Sequence, residues 1–210
     1  MSRRAPLEKT PEATQVWRFP IGQSAHSAPT TLAATLELRI GDITEDDSGV
    51  IVNPTNRRLD GGGMVDLAIR RAAGPRLASA CRAACEQRGG LAVGETLMTP
   101  GFDLRAGYVV HCVLPSYAED PDRAPALLES CCRRAIQLAR AQGLGSIAFP
   151  AIATGVLGYP INQAAPVAMK AVIEEVVREP TPFRVRFILF GPAVLDAYVA
   201  AANTTLLPPK

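Results

Sequence analysis

The sequence predicts an α/β fold in which helices pack on both faces of a central sheet. Short apolar, strand-like segments alternate along the chain with longer segments whose apolar residues recur at helical spacing. Two glycine-rich segments, residues 53–66 and 152–159, each directly follow a strand-like segment. With 210 residues and 48% hydrophobic content, the chain has enough apolar side chains for one such domain with an appendage.

The predicted domain occupies residues 34–205, between an extension at 1–33 and a tail at 206–210. The extension is rich in Pro, Ser, Thr and Ala, so we expect partial disorder, with Trp17 and Phe19 docking onto the domain. Strands are predicted over residues 36–40, 50–52, 95–99, 108–114, 146–149 and 185–190. Helices are predicted over residues 65–73, 77–85, 125–142, 163–178 and 193–201.

Composition argues against several classes of function. The net charge is +2 and the arginines are scattered, so we expect no sequence-specific nucleic-acid binding. The N-terminus has no apolar signal segment and no stretch suits a membrane span, so a cytoplasmic location is expected. The five cysteines are odd in number and lie in predicted helices and a strand, so we expect reduced thiols and no metal site. We also expect no cofactor. His26 and His111 are expected to be structural.

The two glycine-rich segments predict a phosphate site. Glycines between a strand and a helix let the backbone approach a ligand closely, and the first-turn amides of the helix offer donors to an anion. Ligands of such sheets collect at the carboxyl ends of the strands, where both segments lie. We therefore expect the two segments to converge and hold a diphosphate.

Each polar residue near these segments also has a simpler interpretation. Asp66, in the opening turn of a helix, is a natural partner of the helix dipole, and Asn53 and Asn56 suit turns. Tyr159 suits a ring over a sugar or an edge of the core equally well. Asp42 suits a plain turn or an acceptor for the exocyclic amine of a base. The chain carries neither a Ser-His-Asp arrangement nor a P-loop.

Taken in order and at these spacings, the segments resemble the macrodomain family over about residues 36–201. The matching segments are Gly41 to Thr44, Asn53 to Asn56, Gly61 to Gly74, Gly94 to Thr96, Tyr108 to His111 and Ala148 to Gly155. The resemblance implies a three-layer α/β/α domain with a mixed central sheet and an ADP-ribose cleft across the end of the sheet. Within the family, the chain resembles the class that hydrolyses mono-ADP-ribose.

The same resemblance implies roles for individual residues. Asn56 would contact the distal ribose and Asp66 would take part in hydrolysis, which makes these two the candidate catalytic residues. The remaining candidate ligand contacts are Asp42, Ile43, Asn53, Gly62, Gly63, Met64, Val65, Ala153, Thr154, Gly155, Val156, Leu157, Gly158, Tyr159 and Phe190. Of these, Asp42 and Phe190 would meet the adenine.

Two positions depart from the hydrolytic pattern of the family. Met64 interrupts the glycine run, and Arg70 stands where hydrolytic relatives often carry a histidine. Asp66 and Arg70 are four residues apart on one helix, a spacing that permits an ion pair. Such a pair would stabilise the carboxylate anion and leave a weaker base. We therefore expect Asp66 to position water and ribose.

The sequence thus predicts an ADP-ribose-binding hydrolase that releases mono-ADP-ribose from acidic side chains or cleaves O-acetyl-ADP-ribose. Its partners would be ADP-ribose or ADP-ribosylated proteins, and no membrane association is expected. The alternative is a non-catalytic reader of ADP-ribose, because Met64 and Arg70 both alter the reactive end. A weaker alternative is a phosphatase that acts on a phosphorylated ADP-ribose.

Overall fold

The computed structural model describes residues 14–20, 33–179 and 181–206. Its strands are β1 (Gln15–Pro20), β2 (Ala33–Ile40), β3 (Val50–Thr55), β4 (Thr96–Pro100), β5 (Tyr108–Val113), β6 (Ser146–Phe149) and β7 (Arg184–Leu189). Its helices are α1 (Met64–Ala73), α2 (Pro75–Arg88), α3 (Ala124–Ala141), α4 (Ile161–Arg178) and α5 (Pro192–Leu206).

All seven strands form one mixed sheet in the order β1-β2-β7-β6-β3-β5-β4. The inner strands β2, β7, β6, β3 and β5 run parallel, whereas β1 and β4 pair antiparallel at the two edges. Parallel neighbours need crossover connections, and helices supply them. The predicted fold class, an α/β domain with a mixed sheet, is confirmed.

Alternation along β3 shows how the sheet separates two cores. Val50 and Val52 face the core beneath α3, α4 and α5, whereas Ile51 faces the core beneath α1 and α2. Leu128 and Tyr198 belong to the first core, and Ile69 and Leu77 belong to the second. Because each face carries its own helices, the domain has the three layers that were expected.

The edge strand β1 is an element that the sequence analysis did not predict. It lies within the expected N-terminal extension and pairs with β2 from Gln15 opposite Leu38 to Pro20 opposite Ala33. The side chains of Trp17 and Phe19, which were expected to dock, lie outside the described part of the structure, as do residues 1–13, 21–32 and 207–210. The domain boundaries therefore remain a prediction.

Most predicted helices and strands lie within two residues of the observed ones, but α5 is longer than expected. It continues from the predicted end at Ala201 to Leu206 because Ala201 and Ala202 are buried against the core. The hydroxyls of Thr204 and Thr205 donate to the carbonyls of Ala200 and Ala201, so both polar side chains are satisfied within the helix. No helix in the described residues is long and apolar enough to cross a bilayer.

Candidate functional site

A cleft of about 440 Å³ opens at the carboxyl edge of the sheet. Its position follows from the strand order, because β3 and β6 are parallel neighbours and each leads into one glycine-rich segment. We call these segments loop A (residues 56–63) and loop B (residues 150–160). The cleft is lined by Pro54, Gly62, Met64, Val65, Ala151, Ala153, Thr154, Gly155, Val156, Leu157, Phe190 and Val194.

Nine of the predicted ligand contacts line this cleft. They are Gly62, Met64, Val65, Ala153, Thr154, Gly155, Val156, Leu157 and Phe190. Pro54, Ala151 and Val194 also line the cleft but were not predicted. Pro54 and Ala151 lie within the matching motif segments and could have been found there, whereas Val194 lies on α5 and gave no local signal.

Two glycines of loop A are required by its backbone geometry. A Cβ atom on Gly62 would lie 2.2 Å from the carbonyl oxygen of Pro54, so the loop packs directly on the end of β3. Gly63 has a φ of +98° and its Cβ position lies 2.8 Å from Cγ2 of Val156. Loops A and B therefore touch across the cleft through Gly63 and Val156.

Both loops present backbone donors that the described chain does not use. The amides of Gly155, Val156 and Leu157 make no backbone hydrogen bond within the described residues. The first-turn amides of α1 are likewise unpaired within the helix, as at every helix N-terminus. Ala153, at a φ of +65°, holds loop B by accepting from the amide of Tyr159 at 3.0 Å. Residues with unpaired amides in loop B and at the start of α1 thus line the same cleft, an arrangement that suits an anion such as a diphosphate.

Asp66 is buried directly behind the cleft, next in sequence to the cleft residue Val65. Its side chain is only 2% exposed. Its Oδ1 accepts from Nδ2 of Asn53 at 2.6 Å, and its Oδ2 accepts from Nε of Arg70 at 2.7 Å. The predicted ion pair between Asp66 and Arg70 is thus present. Burial disfavours the charge on Arg70, but the hydrogen bond and charge of Asp66 outweigh it and raise the pKa of Arg70.

His111 completes this buried network from the neighbouring strand. Asn53 on β3 and His111 on β5 are register partners and lie on the same face of the sheet as α1 and α2. The Nδ2 of Asn53 is 3.2 Å from Nδ1 of His111, and Nε2 of His111 is 2.9 Å from Oγ1 of Thr99. Burial, followed by the charge of Arg70, lowers the pKa of His111 to about 4. A neutral His111 therefore accepts from Asn53 and donates through Nε2 to Thr99, an arrangement that suits the structural role expected of it.

Asn56 lies on the exposed side of loop A. Its Oδ1 accepts from the amides of Arg58 at 3.0 Å and Asp60 at 3.3 Å, and its Nδ2 donates to Oδ1 of Asp60 at 2.8 Å. These bonds fix the turn that follows β3. No hydrogen bond joins Asn56 to Asp66, because Asn56 is exposed in the turn and Asp66 is buried on the inner side of α1. Their predicted catalytic roles are not tested by this arrangement and stay predictions.

The predicted adenine contacts are arranged differently from one another. Phe190 is 58% exposed and lines the cleft at the end of β7. Asp42 is exposed, and its Oδ1 accepts from the amide and the hydroxyl of Thr44 at 2.9 and 2.8 Å, which is the simpler turn role. Ile43 is buried in the core beneath α1 and α2. Neither Asp42 nor Ile43 is among the residues that line the cleft.

The remaining predicted contacts do not line the cleft. Tyr159 is 4% exposed and its ring centroid lies 4.6 Å from that of Tyr117, a placement that favours the edge of the core over a sugar contact. Burial raises its pKa, and Tyr117 adds to the effect. Gly158 has an open Cβ position and a φ of +70°. Among the described residues, no group of His, Cys, Asp or Glu is arranged to hold a metal ion.

Comparison with known proteins identifies the family. Residues 52–168 match the model of the Macro domain. The O-acetyl-ADP-ribose deacetylase of Cronobacter sakazakii is 45% identical over 150 residues, 71% of this chain and 83% of that protein. The O-acetyl-ADP-ribose deacetylase of Salmonella typhimurium is 42% identical over 167 residues, 80% of this chain and 93% of that protein.

Solved structures agree with the sequence comparison. The Oceanobacillus iheyensis macrodomain with ADP superposes with a TM-score of 0.81 at 35% identity, and the match covers 92% of this chain and 97% of that one. The Trypanosoma brucei macrodomain in complex with ADP-ribose gives a TM-score of 0.69 at 34% identity, covering 78% and 67%. The fold, the cleft and these relatives together show that this chain belongs to the macrodomain family.

Proposed function

We propose that the cleft between loops A and B binds ADP-ribose. Free amides of both loops would hold the diphosphate, and Phe190 at the end of β7 would pack against the adenine. A volume of about 440 Å³ is in the range of cavities that hold one small ligand. Solved macrodomains with ADP and with ADP-ribose support this assignment.

The bound ligand would then be a substrate for hydrolysis. We propose that the chain cleaves O-acetyl-ADP-ribose, or mono-ADP-ribose that is esterified to an acidic side chain. In the first case water adds to the acyl carbon, the ester C–O bond breaks, and acetate and ADP-ribose leave with one proton released. In the second, water attacks the anomeric carbon and the carboxylate of the protein leaves. Relatives named O-acetyl-ADP-ribose deacetylase support this chemistry.

The observation that carries the hydrolase proposal is the position of Asp66. It lies in the first turn of α1, next to the cleft residue Val65, and Asn53 fixes the orientation of its side chain. Preorganised charges and dipoles of this kind stabilise charge that develops during a reaction. Asn56, at the exposed end of loop A, would hold the ribose hydroxyls while Asp66 orients the attacking water.

The same carboxylate also gives the reader alternative its support. Both oxygens of Asp66 already accept a hydrogen bond, and only 2% of the side chain is exposed. Each carboxylate oxygen can accept a second hydrogen bond, so it is the burial of Asp66, and not its two existing bonds, that keeps a water molecule away. Arg70 closes the more open side, because its side chain is 17% exposed whereas Asn53 is fully buried. A protein in which the surroundings of Asp66 stay closed would bind ADP-ribose without turning it over.

One paired experiment separates the two candidates. The protein is titrated with ADP-ribose by calorimetry, and the same preparation is incubated with O-acetyl-ADP-ribose and with a peptide that carries ADP-ribose on a glutamate. The hydrolase predicts saturable binding and release of ADP-ribose from at least one substrate. Binding without release above the buffer control would establish the reader, and no binding at millimolar ligand would refute both.

An asparagine substitution tests the role of Asp66 directly. Asp66→Asn keeps the size of the side chain and is expected to lower turnover at least about tenfold while the Kd for ADP-ribose changes by less than about threefold. Asp103→Asn is the matched control, because Asp103 also pairs with an arginine, Arg76, at 2.6 Å but is exposed and does not line the cleft. An equal loss of turnover in Asp66→Asn and Asp103→Asn would show that Asp66 has no specific role in hydrolysis.

A further inference from the structure

A second cavity, of about 680 Å³, lies on the other side of loop A between this loop and α2. It is lined by Arg58, Leu59, Asp60, Arg70, Ala78, Arg82, Cys85, Glu86, Gly89 and Gly90. The α2 residues at positions 78, 82, 85 and 86 recur at helical spacing, so one face of this helix forms a wall. Nothing in the proposed binding of ADP-ribose uses this cavity.

The cavity lies in the most basic stretch of an otherwise balanced chain. Residues 57–88 contain seven arginines and only three acidic residues, which gives this stretch a net charge of +4 when the whole chain carries +2. The arginines were expected to be scattered, but loop A, α1 and α2 pack on one face of the sheet and bring three of the seven to the cavity. These three are Arg58, Arg70 and Arg82, and they line it together with Asp60 and Glu86. An anionic partner would be attracted to this face.

The cavity adjoins the ADP-ribose cleft, although no residue lines both. Arg70 lines the cavity and pairs with Asp66, which follows the cleft residue Val65 in sequence. Arg58 and Asp60 line the cavity and hold the side chain of Asn56 through their amides. A protein chain that leaves the cleft beside Asn56 would therefore pass this cavity.

The arginines of the cavity differ in how free they are to bind a ligand. Arg70 is held by Asp66, and Arg58, 86% exposed, makes only a 3.5 Å contact with Asp60. Arg82 is exposed on α2 and forms no ion pair with any described residue. Exposed ion pairs are weak and break easily. Arg82 and Arg58 can therefore turn to a carboxylate that enters from solvent.

We propose that this cavity binds an acidic segment of the protein whose side chain carries the ADP-ribose. The inference rests on the proposed function, because it assumes that the modified chain leaves the cleft beside Asn56. Arginine guanidinium groups pair with carboxylates through two parallel hydrogen bonds, which gives geometric selectivity as well as attraction. The selected substrates would be acidic residues whose neighbours in sequence are also acidic.

The lining residues favour an acidic peptide over a nucleic acid. No aromatic side chain lines the cavity, so unpaired bases would find no stacking surface there. Asp60 and Glu86 alternate with the arginines and would repel a continuous phosphate backbone. A peptide, by contrast, has amide groups that can donate to these two carboxylates.

The test compares two peptides that each carry ADP-ribose on one glutamate, flanked either by aspartates and glutamates or by serines and glycines. The quantity measured is the ratio of kcat/KM for the acidic peptide to that for the neutral peptide. We expect a ratio of about ten for the unmodified enzyme, decreasing with added salt, and a ratio near one for Arg82→Glu. The control is Arg88→Glu, which changes the same charge on the same helix outside the cavity and is expected to keep the preference.

Several outcomes would overturn the inference. A ratio near one for the unmodified enzyme shows that the cavity does not select acidic segments. Equal effects of Arg82→Glu and Arg88→Glu show a diffuse charge effect without a defined site. Stronger inhibition by a single-stranded oligonucleotide than by an unmodified acidic peptide, relieved in Arg82→Glu, assigns the cavity to nucleic acid instead.

The proposed function can fail independently of this inference. If neither peptide nor O-acetyl-ADP-ribose is hydrolysed, the hydrolase is refuted, and the same ratio is then taken from the Kd values of the two ADP-ribosylated peptides. A preference for the acidic peptide that disappears in Arg82→Glu supports the cavity in a reader. Equal Kd values refute it.

Discussion

Stability against acid gives the most quantitative test of the buried network around Asp66. His111 is held neutral by burial and by the nearby charge of Arg70, which lower its pKa from 6.5 to about 4. Between these two values the unfolded chain binds a proton that the folded chain excludes. The free energy of unfolding therefore contains a contribution that is fully present above pH 6.5 and is lost as the pH falls towards 4.

The size of this contribution follows from the shift. One pKa unit corresponds to about 1.4 kcal/mol, so a fall from 6.5 to about 4 corresponds to about 3 kcal/mol. Domains of this kind are stable by about 5–15 kcal/mol, so the loss is large enough to measure. Protonated His111 could no longer accept from Asn53, so Asn53 would lose one of its two partners as well.

The assay is urea unfolding at several pH values between 7 and 4, carried out on the unmodified protein, His111→Gln and His26→Gln. We expect His111→Gln to be less stable at pH 7 but to lose about 3 kcal/mol less than the unmodified protein on going to pH 4. His26→Gln, which changes the chain's second histidine, is expected to follow the unmodified protein. The carboxyl groups of the chain are the same in all three proteins, so their contributions to the pH dependence cancel in the comparison.

A difference between the unmodified protein and His111→Gln that stays constant within about 1 kcal/mol across this range would refute the reasoning. So would an NMR titration in which the imidazole of His111 in the folded protein titrates near pH 6.5. Either result would mean that burial and the charge of Arg70 do not keep His111 neutral in the folded protein at these pH values.

Further predictions concern the cleft and its buried carboxylate. Gly155→Ala should leave folding unchanged, because a Cβ atom there meets nothing within 4 Å. The same variant should weaken ADP-ribose binding about tenfold, as measured by calorimetry. Gly155→Glu should abolish binding, because its side chain adds both bulk and a negative charge beside the diphosphate. An unaffected Kd in both variants would exclude loop B from the diphosphate site. Asn56→Ala should lower turnover much more than affinity, as a contact made mainly in the transition state requires, and a parallel loss of both would make Asn56 a binding residue only. Arg70→His should raise the rate if Arg70 restrains Asp66; a lower rate would mean that Arg70 supports the substrate or the fold. Asp42→Ala should weaken adenine binding by about 1–3 kcal/mol relative to hypoxanthine, and unchanged discrimination would leave Asp42 as the turn residue that its bonds to Thr44 indicate.

Features set by near neighbours in the chain could be predicted well. The helix stop at Gly74 followed by Pro75, the parallel-strand pattern of Val50–Val52 and the spacing of Asp66 and Arg70 each depend on a few consecutive residues. Helical geometry brings residues i and i+4 together regardless of the rest of the fold, so the ion pair was predictable. The positions of the two glycine loops followed from their placement after strands.

Contacts between distant segments could not be predicted in the same way. β1 has little local signal and exists as a strand because the edge of β2 is available to pair with it. Asn53, His111 and Thr99 meet because β3, β5 and β4 are neighbours in the sheet, although 58 residues separate the first two in the chain. Packing of distant segments likewise decides that Tyr159 is buried beside Tyr117, that Asp66 is enclosed and that three arginines distant in sequence line one cavity.

The sequence by itself indicated the family through the order and spacing of its motifs. It also predicted the layered fold and the two glycine loops at the strand ends, because these depend on local backbone geometry and on the period of the apolar pattern. The tertiary structure alone decided which polar groups are exposed. It buried Asp66 between Asn53 and Arg70, left Asn56 on the surface and brought Arg58, Arg70 and Arg82 to one cavity. Exposure and electrostatic environment are properties of the whole packed sheet, so no local segment of the chain encodes them.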